Sequence, residues 1–214
     1  MMHRLHLFLL LLVAIGFSLP SPAAANEHAQ SALIFAEQKN WDDAKAHADG
    51  AENAGLRKLI DWLYLLDSDS QATFDEITQF ITQNPNWPEQ KKLRIRAEQS
   101  LKDSSAGDTD IITWFDNNPP ITGIGKLMLV QALRKQGNAD RSRIDTLVRE
   151  AWKNGDFDEP TENAILADYS ELLGTDEHIA RMDRLLWEEK IAAAKRLLKK
   201  VPSAHQLLFK ARIA

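Results

Sequence analysis

The chain has no cysteine among its 214 residues. That excludes any disulfide, and it excludes a lipoprotein anchor, which needs a cysteine to acylate. A chain of this length can bury a core without disulfides, so the absence is compatible with an oxidising compartment without requiring one. Positive charge is also scarce: 26 basic residues face 31 acidic ones, a formal net charge of −5. A modestly acidic chain lacks the basic surface that nucleic-acid binding demands. Strand-like alternation of apolar and polar residues is missing over any useful length. Apolar runs approaching the roughly 20 residues of a membrane span are missing too.

The longest apolar run is short and lies at the start. Arg4 and the amino terminus precede Leu5 to Phe17, Leu19-Pro20-Ser21-Pro22 breaks the run, and Ala23-Ala24-Ala25 supplies small residues. This is the layout of a secretory signal, with cleavage expected after Ala25; an uncleaved N-terminal anchor is the alternative. Removing Arg4 with the leader takes the net charge from −5 to −6. The expectation is a soluble, periplasmic chain of residues 26–214, with no membrane span after processing.

Helical periodicity fills that region. Leu56, Leu59, Ile60 and Leu63 recur at the spacing of one helical face. Ile144, Leu147, Val148, Ala151 and Trp152 repeat the template, as do Ile179, Met182, Leu185 and Leu186, then Ile191, Ala194, Leu197, Leu198 and Val201. Thr73 and Glu76 have the spacing of a capping box for a helix ending near Asn84-Pro85. Asn86 and Pro88 are expected to open the next helix, Asp103 to Asp108 to form a loop, and Pro119-Pro120, Pro160 and Pro202 to mark further junctions. Gly137, Gly155 and Gly174 each follow a periodic segment, where a left-handed helix terminus favours glycine.

Nine or ten short helices on tight loops predict an all-α fold of stacked helical hairpins, a superhelix of the tetratricopeptide-like solenoid type. Ala32 to Gly55 has the form of one such hairpin, with Trp41 opening its second helix. Trp114, Trp152 and Trp187 are spaced by about one helix pair, although tryptophans that simply fill a core would serve equally.

Few residues carry chemistry. Thr122-Gly123-Ile124-Gly125-Lys126-Leu127 lacks the earlier glycine of a phosphate loop, with Pro120 in its place, and has Leu127 where a magnesium-binding hydroxyl belongs. Gly123 and Gly125 instead suit a helix start packed tightly on a neighbour. His28, His47, His178 and His205 show no metal-ligand spacing; His28 and His47 are expected to face solvent and His178 to pack or cap. Asp42-Asp43, Glu188-Glu189 and the loop trio Asp156, Asp158 and Glu159 read as solvated faces or helix starts rather than catalytic acids. Lys190, Lys195, Arg196, Lys199 and Lys200 form a basic cluster that suits a negative helix end, or an anionic partner. No residue is assigned as catalytic, cofactor-binding or metal-ligating, and no cofactor is implied.

The order of several segments resembles soluble lytic murein transglycosylases. These are Leu59-Ile-Asp-Trp-Leu-Tyr-Leu65, Phe80-Ile-Thr-Gln-Asn-Pro-Asn-Trp-Pro88 and Leu93-Arg-Ile-Arg-Ala-Glu98. Ile111 to Pro120, Thr122 to Lys126, Arg149 to Phe157 and His178 to Glu189 follow in the same order. The resemblance spans roughly Ala32 to Ala214 and rests mostly on aromatic and leucine packing positions. It implies a long U-shaped superhelix preceding a lysozyme-like domain that cleaves MurNAc–GlcNAc bonds without a cofactor and leaves a 1,6-anhydro product. The Glu-Ser pair of that catalytic domain occurs nowhere in the chain. The resemblance thus implies the N-terminal scaffold of such an enzyme, truncated at its C-terminal end and inactive alone, with peptidoglycan as the partner of the whole enzyme and cell-wall proteins as further partners. The alternative is a free-standing periplasmic helical-repeat module for protein interaction. A truncated end would leave Leu207, Leu208, Phe209 and Ile213 uncovered.

Overall fold

The computed structural model describes residues 22–137 and 140–213. The basic start at Arg4 and the apolar run from Leu5 to Phe17 lie outside them. Twelve α-helices and three short 3-10 turns make up the described residues, with no strand among them. The chain is all-α, as the periodicity predicts, but with more helices than the nine or ten expected. Lys39, Glu52, Glu89 and Glu189 all adopt left-handed backbone angles, with φ between 52° and 60°. Such a residue disfavours helix continuation by roughly 1–2 kcal/mol and leaves no compositional mark.

The described residues divide into two compact units, one ending at Leu63 and the other beginning at Tyr64. In the first, α1 (Pro22–Glu37), α2 (Trp41–Gly50) and most of α3 (Ala54–Leu66) pack around small side chains. Ala32, Ala36, Ala44, Ala48 and Ile60 form the core, flanked by Phe35, Trp41, Leu56 and Leu63. The alanines let α1 and α2 approach closely, and Trp41 opens α2 as the sequence indicates. Asp42 and Asp43 lie in its first turn, at the positive end of the helix dipole.

The second unit holds α4 (Phe74–Gln83), α5 (Gln90–Ser100), α6 (Asp108–Asn117), α7 (Gly123–Gln136), α8 (Arg141–Asn154), α9 (Glu159–Tyr169), α10 (Thr175–Trp187), α11 (Ile191–Leu197) and α12 (Ser203–Ile213). Helices pack mainly on sequence neighbours, α4 on α5, α6 on α7, α7 on α8 and α10 on α11, while α10 also packs on α8 across the intervening α9. Thr73 and Glu76 form the capping box: Glu76 N–H donates to Thr73 Oγ1 at 3.2 Å and Thr73 N–H to Glu76 Oε2 at 2.8 Å. The start of α5 differs from expectation. Pro88 stays in a turn, and the helix begins at Gln90 because left-handed Glu89 intervenes. The Gln90 side-chain amide ties that turn down, donating to the Asn84 and Trp87 carbonyls.

Leu93, Val148, Met182 and Ile77 are fully buried, and each such side chain contributes roughly 1.5–3 kcal/mol. The tryptophans do not share one role: Trp152 is 1 % exposed, whereas Trp187 is 85 % exposed and fills no core. Near the end, Leu207 and Leu208 are exposed as expected. Phe209 is not, because α12 turns it inward; the side chain of Ile213 lies outside the described part.

Candidate functional site

The glycines of the Thr122–Lys126 segment serve close packing. A Cβ on Gly123 would lie 2.5 Å from the Gly155 Cα, and one on Gly125 would lie 2.3 Å from Glu98 Oε2. Both distances are far inside van der Waals contact, so only glycine fits. What occupies the space beside Gly125 is a carboxylate that the sequence reading did not single out. Glu98 is 1 % exposed. It accepts the Ile121 N–H at 2.7 Å, and the Thr122 N–H and hydroxyl at 2.6 Å each. The Thr122 oxygen in turn accepts the Gly125 N–H at 2.9 Å. A buried anion from α5 thereby caps the positive end of α7, where its charge is favourable. Its position one residue after Ala97, on the buried side of α5, was the available signal.

A cationic counterpart closes α8. Arg181 is fully buried; its Nη1 donates to the Trp152 and Gly155 carbonyls, both at 2.7 Å, and its Nη2 to Glu162 at 2.7 Å. The guanidinium lies over the Trp152 ring, 4.5 Å from its centroid. Arg184 adds bonds to the Lys153 and Gly155 carbonyls at 2.8 Å. Two cations thus satisfy the orphan carbonyls at the negative end of α8. Glu162 also accepts from Arg196 at 2.6 Å, so the buried carboxylate bridges two arginines. Burial pushes Arg181 down from its ordinary value, against the opposing pull of Glu162.

This arrangement corrects two of the glycine readings. Gly155 has φ −88° and Gly174 φ −84°, so neither is left-handed; only Gly137, with φ 78°, ends its helix that way. Gly155 is required for another reason: a Cβ there would lie 2.3 Å from the Phe157 ring.

The acidic loop and the basic cluster neutralise each other in part. Asp156 pairs with Lys190 and, at 3.0 Å, with Arg184, while Glu188 pairs with Arg184 at 2.6 Å and Lys190 at 2.8 Å. Burial favours the neutral form of Asp156, but the Lys190 and Arg184 bonds outweigh it and hold the carboxyl below the usual range. Asp158 caps α9 by accepting the Thr161 N–H at 2.9 Å. Lys190 sits at the start of α11, not at a negative helix end; Lys195 and Arg196 occupy its last turn.

The histidines differ from expectation in one respect. His28 and His47 are half-buried and meet across α1 and α2, Nδ1 to Nδ1 at 3.0 Å, because Gly50 leaves room for the His28 ring. His178 packs edge-on against Trp152, 5.6 Å between centroids, as a packing residue should. Burial lowers its pKa from the ordinary value, and the nearby Lys200 acts in the same direction.

The second unit also carries an open cleft of about 600 Å³ between the segment preceding α4 and the end of α5. Ser70, Thr73, Ser100 and Ser104 line it with hydroxyls, and Asp75 and Asp103 with carboxylates. Arg96 lines it as well, and its guanidinium makes two protein contacts at the long limit, to Gln99 at 3.4 Å and Ser70 at 3.5 Å. A planar donor fork held this loosely suits a carboxylate or phosphate oxygen pair. The clue in the sequence was an arginine two residues after Arg94, on a helix otherwise read for packing.

Among the described residues, no group of three or more His, Asp or Glu side chains is placed to hold a metal, and no helix is long and apolar enough to cross a membrane. No family model, no characterised protein and no solved structure matches the chain.

Proposed function

We propose that the chain is a helical scaffold and binding module of the bacterial cell wall, the N-terminal part of a peptidoglycan lytic transglycosylase, which contacts the wall and leaves bond cleavage to another domain. The ordered segments from Leu59 to Glu189 that resemble that family support the reading. So does the use of buried charge. Glu98, Arg181 and Glu162 are bound to helix ends and to one another. Carboxylates so engaged are occupied by fixed donors, unlike the free acid that glycosidic bond cleavage requires.

The observation that carries the reading is the Arg96 cleft, open and lined by hydroxyls and by the Asp75 and Asp103 carboxylates, with a guanidinium whose two hydrogen bonds are at the long limit. Peptidoglycan stems present carboxylates and its glycan presents hydroxyls. Sedimentation with purified murein sacculi tests this. The chain should co-sediment, release no anhydro-muropeptides, and bind at least about tenfold more weakly as Arg96→Ala, since a charged hydrogen bond contributes roughly 1.5–3 kcal/mol. Equal sedimentation of the variant rejects the cleft, and product release rejects the scaffold assignment.

A second reading, a free-standing protein-interaction module, is favoured by one feature: Trp187, Leu207 and Leu208 are 85 %, 73 % and 57 % exposed. Interfaces are enriched in such tryptophans. Failure to bind sacculi, with a specific protein cross-linked through position 187, would select it.

A further inference from the structure

Helices α4 and α6 carry five acidic residues and no basic one: Asp75 and Glu76 on the first, Asp108, Asp110 and Asp116 on the second. Three of the five are engaged. Glu76 closes the capping box with Thr73, Asp108 pairs with Lys135 at 3.2 Å, and Asp116 pairs with Arg143 at 3.0 Å. The other two, Asp75 and Asp110, have no cationic partner among the described residues, and both line one open groove of about 700 Å³ between the two helices. No lysine or arginine lines that groove. Both carboxylates lie in the first turn of their helix, where the dipole alone favours them. The rest of the groove decides what more they do.

Its walls are two stripes of uncharged side chains. Thr78, Gln79, Thr82 and Gln83 recur on one face of α4. Thr113, Trp114, Asn117 and Asn118 repeat that spacing on α6 and its C-cap. A face that meets only water is ordinarily built from good helix formers such as Glu and Lys; threonine and asparagine are poorer by up to about 0.7 kcal/mol each. The hydroxyls of Thr78, Thr82 and Thr113 donate to carbonyls of their own helices, which leaves their oxygens as acceptors. Asn117 and Asn118 each spend one amide N–H in the same way and keep a carbonyl and a second N–H. The exposed Gln79 and Gln83 amides make no hydrogen bond among the described residues. Trp114 is half-buried and held edge-on by Phe74, 5.8 Å between centroids at 86°, so its ring is a fixed platform.

We propose that this groove binds an extended peptide carrying a lysine or arginine. The amides pair with its main chain, the stem of the basic side chain lies along Trp114, and Asp75 and Asp110 share the cation. Ten-residue α4 and α6 are about 15 Å long, which accommodates roughly four or five residues of extended chain at about 3.3 Å each. Two carboxylates without a lining cation exclude a nucleic acid. A neutral oligosaccharide would use the amides and Trp114 but leave both carboxylates without a counter-charge, so the peptide fits better. The site does not depend on the proposed wall contact: Asp75 also borders the Arg96 cleft, but Asp110 and Trp114 line this groove and not that cleft.

The test selects nonapeptides from a random display library on the immobilised chain, then measures the enriched ones, synthesised with a fluorescent label, by anisotropy. Enriched peptides should carry Lys or Arg. Asp110→Asn should weaken their binding about fivefold, the size of one solvent-exposed ion pair, with the circular dichroism unchanged. Replacing the basic residue of the peptide by Glu should abolish binding to the parent and restore part of it with Asp110→Lys, which a merely structural role of Asp110 would not do. Gln79→Ala, at an exposed helix position, should weaken binding as well. Failure to enrich any peptide, enrichment of peptides without a basic residue, or binding indifferent to both Asp110→Asn and Gln79→Ala overturns the proposal. A neutral oligosaccharide, chitotetraose, is titrated in parallel: binding lost in Gln79→Ala and kept in Asp110→Asn makes the groove a glycan site and overturns the peptide assignment.

Discussion

Replacing Gly125 with alanine asks whether α7 begins on a carboxylate with no room beside it. The new Cβ would lie 2.3 Å from Glu98 Oε2, 2.7 Å from its Cδ and 3.0 Å from its Cγ. The carboxylate must retreat, and it accepts hydrogen bonds at 2.7, 2.6 and 2.6 Å that retreat would break. Glu98 is 1 % exposed, so water does not replace them readily. Each bond to a charged group contributes roughly 1.5–3 kcal/mol. Alanine returns roughly 1 kcal/mol through its better helix propensity. If two bonds are lost, the net destabilisation is about 3 kcal/mol, or a fall in Tm of roughly 6–12 °C for a chain of this size. Urea unfolding of four proteins completes the test: parent, Gly125→Ala, Glu98→Ala and the double variant. Once Glu98 is truncated the methyl group has space, so in that background the second substitution should no longer destabilise and should return roughly 1 kcal/mol of helix propensity. A Gly125→Ala protein as stable as the parent, or effects that add in the double variant, would refute the capping account.

Arg181→Met should destabilise by about 3–5 kcal/mol, because it leaves the Trp152 and Gly155 carbonyls without the arginine and Glu162 with Arg196 alone; urea unfolding measures it, and a loss under 1 kcal/mol would count against the buried network. His178 has a pKa lowered from 6.5, so below about pH 6.5 the unfolded chain takes up a proton that the folded chain resists, and stability falls as pH falls. That loss, read from urea midpoints between about pH 7 and 5, should shrink in His178→Phe; an unchanged profile would mean that His178 is not its source. Gly137→Ala should lose about 1 kcal/mol from backbone strain alone, since φ is 78° and nothing lies within 4 Å of the added carbon; Gly137→Asn should lose less by the same measurement.

Helix content was legible because amphipathic spacing is redundant: the stripe from Ile144 to Trp152 offers five positions, and four are buried. The Thr73 capping box was legible because both partners lie within one turn. Two helix starts were not. Glu89 and Glu189 adopt a conformation ordinarily signalled by glycine, with side chains that signal nothing. The close packing of Gly123 and Gly125 could be read from the glycines, but not its partner. Glu98 reaches Thr122 across 24 residues, and Arg181 reaches Trp152 across 29. Pairings so distant have no periodicity to betray them. A charged residue on an apolar stripe was their one trace, as with Arg181 beside Met182 and Leu185. The hydroxyl-lined cleft was hidden for the same reason, being assembled from segments on either side of α4.

The two arginines at the end of α8 also act as a key that sets the position of α10 along its neighbour. Apolar stripes tolerate sliding by one turn, because leucine can replace methionine in the same hollow. Here a slip of four residues would bring either Glu177 or Leu185 to the place of Arg181. A carboxylate would repel the Trp152 and Gly155 carbonyls, and a leucine would leave them buried and unbonded, at roughly 1–3 kcal/mol each. Amphipathic helices whose apolar stripes would otherwise tolerate a slip thereby acquire a single address. One hairpin of this chain could not be exchanged for another without losing it.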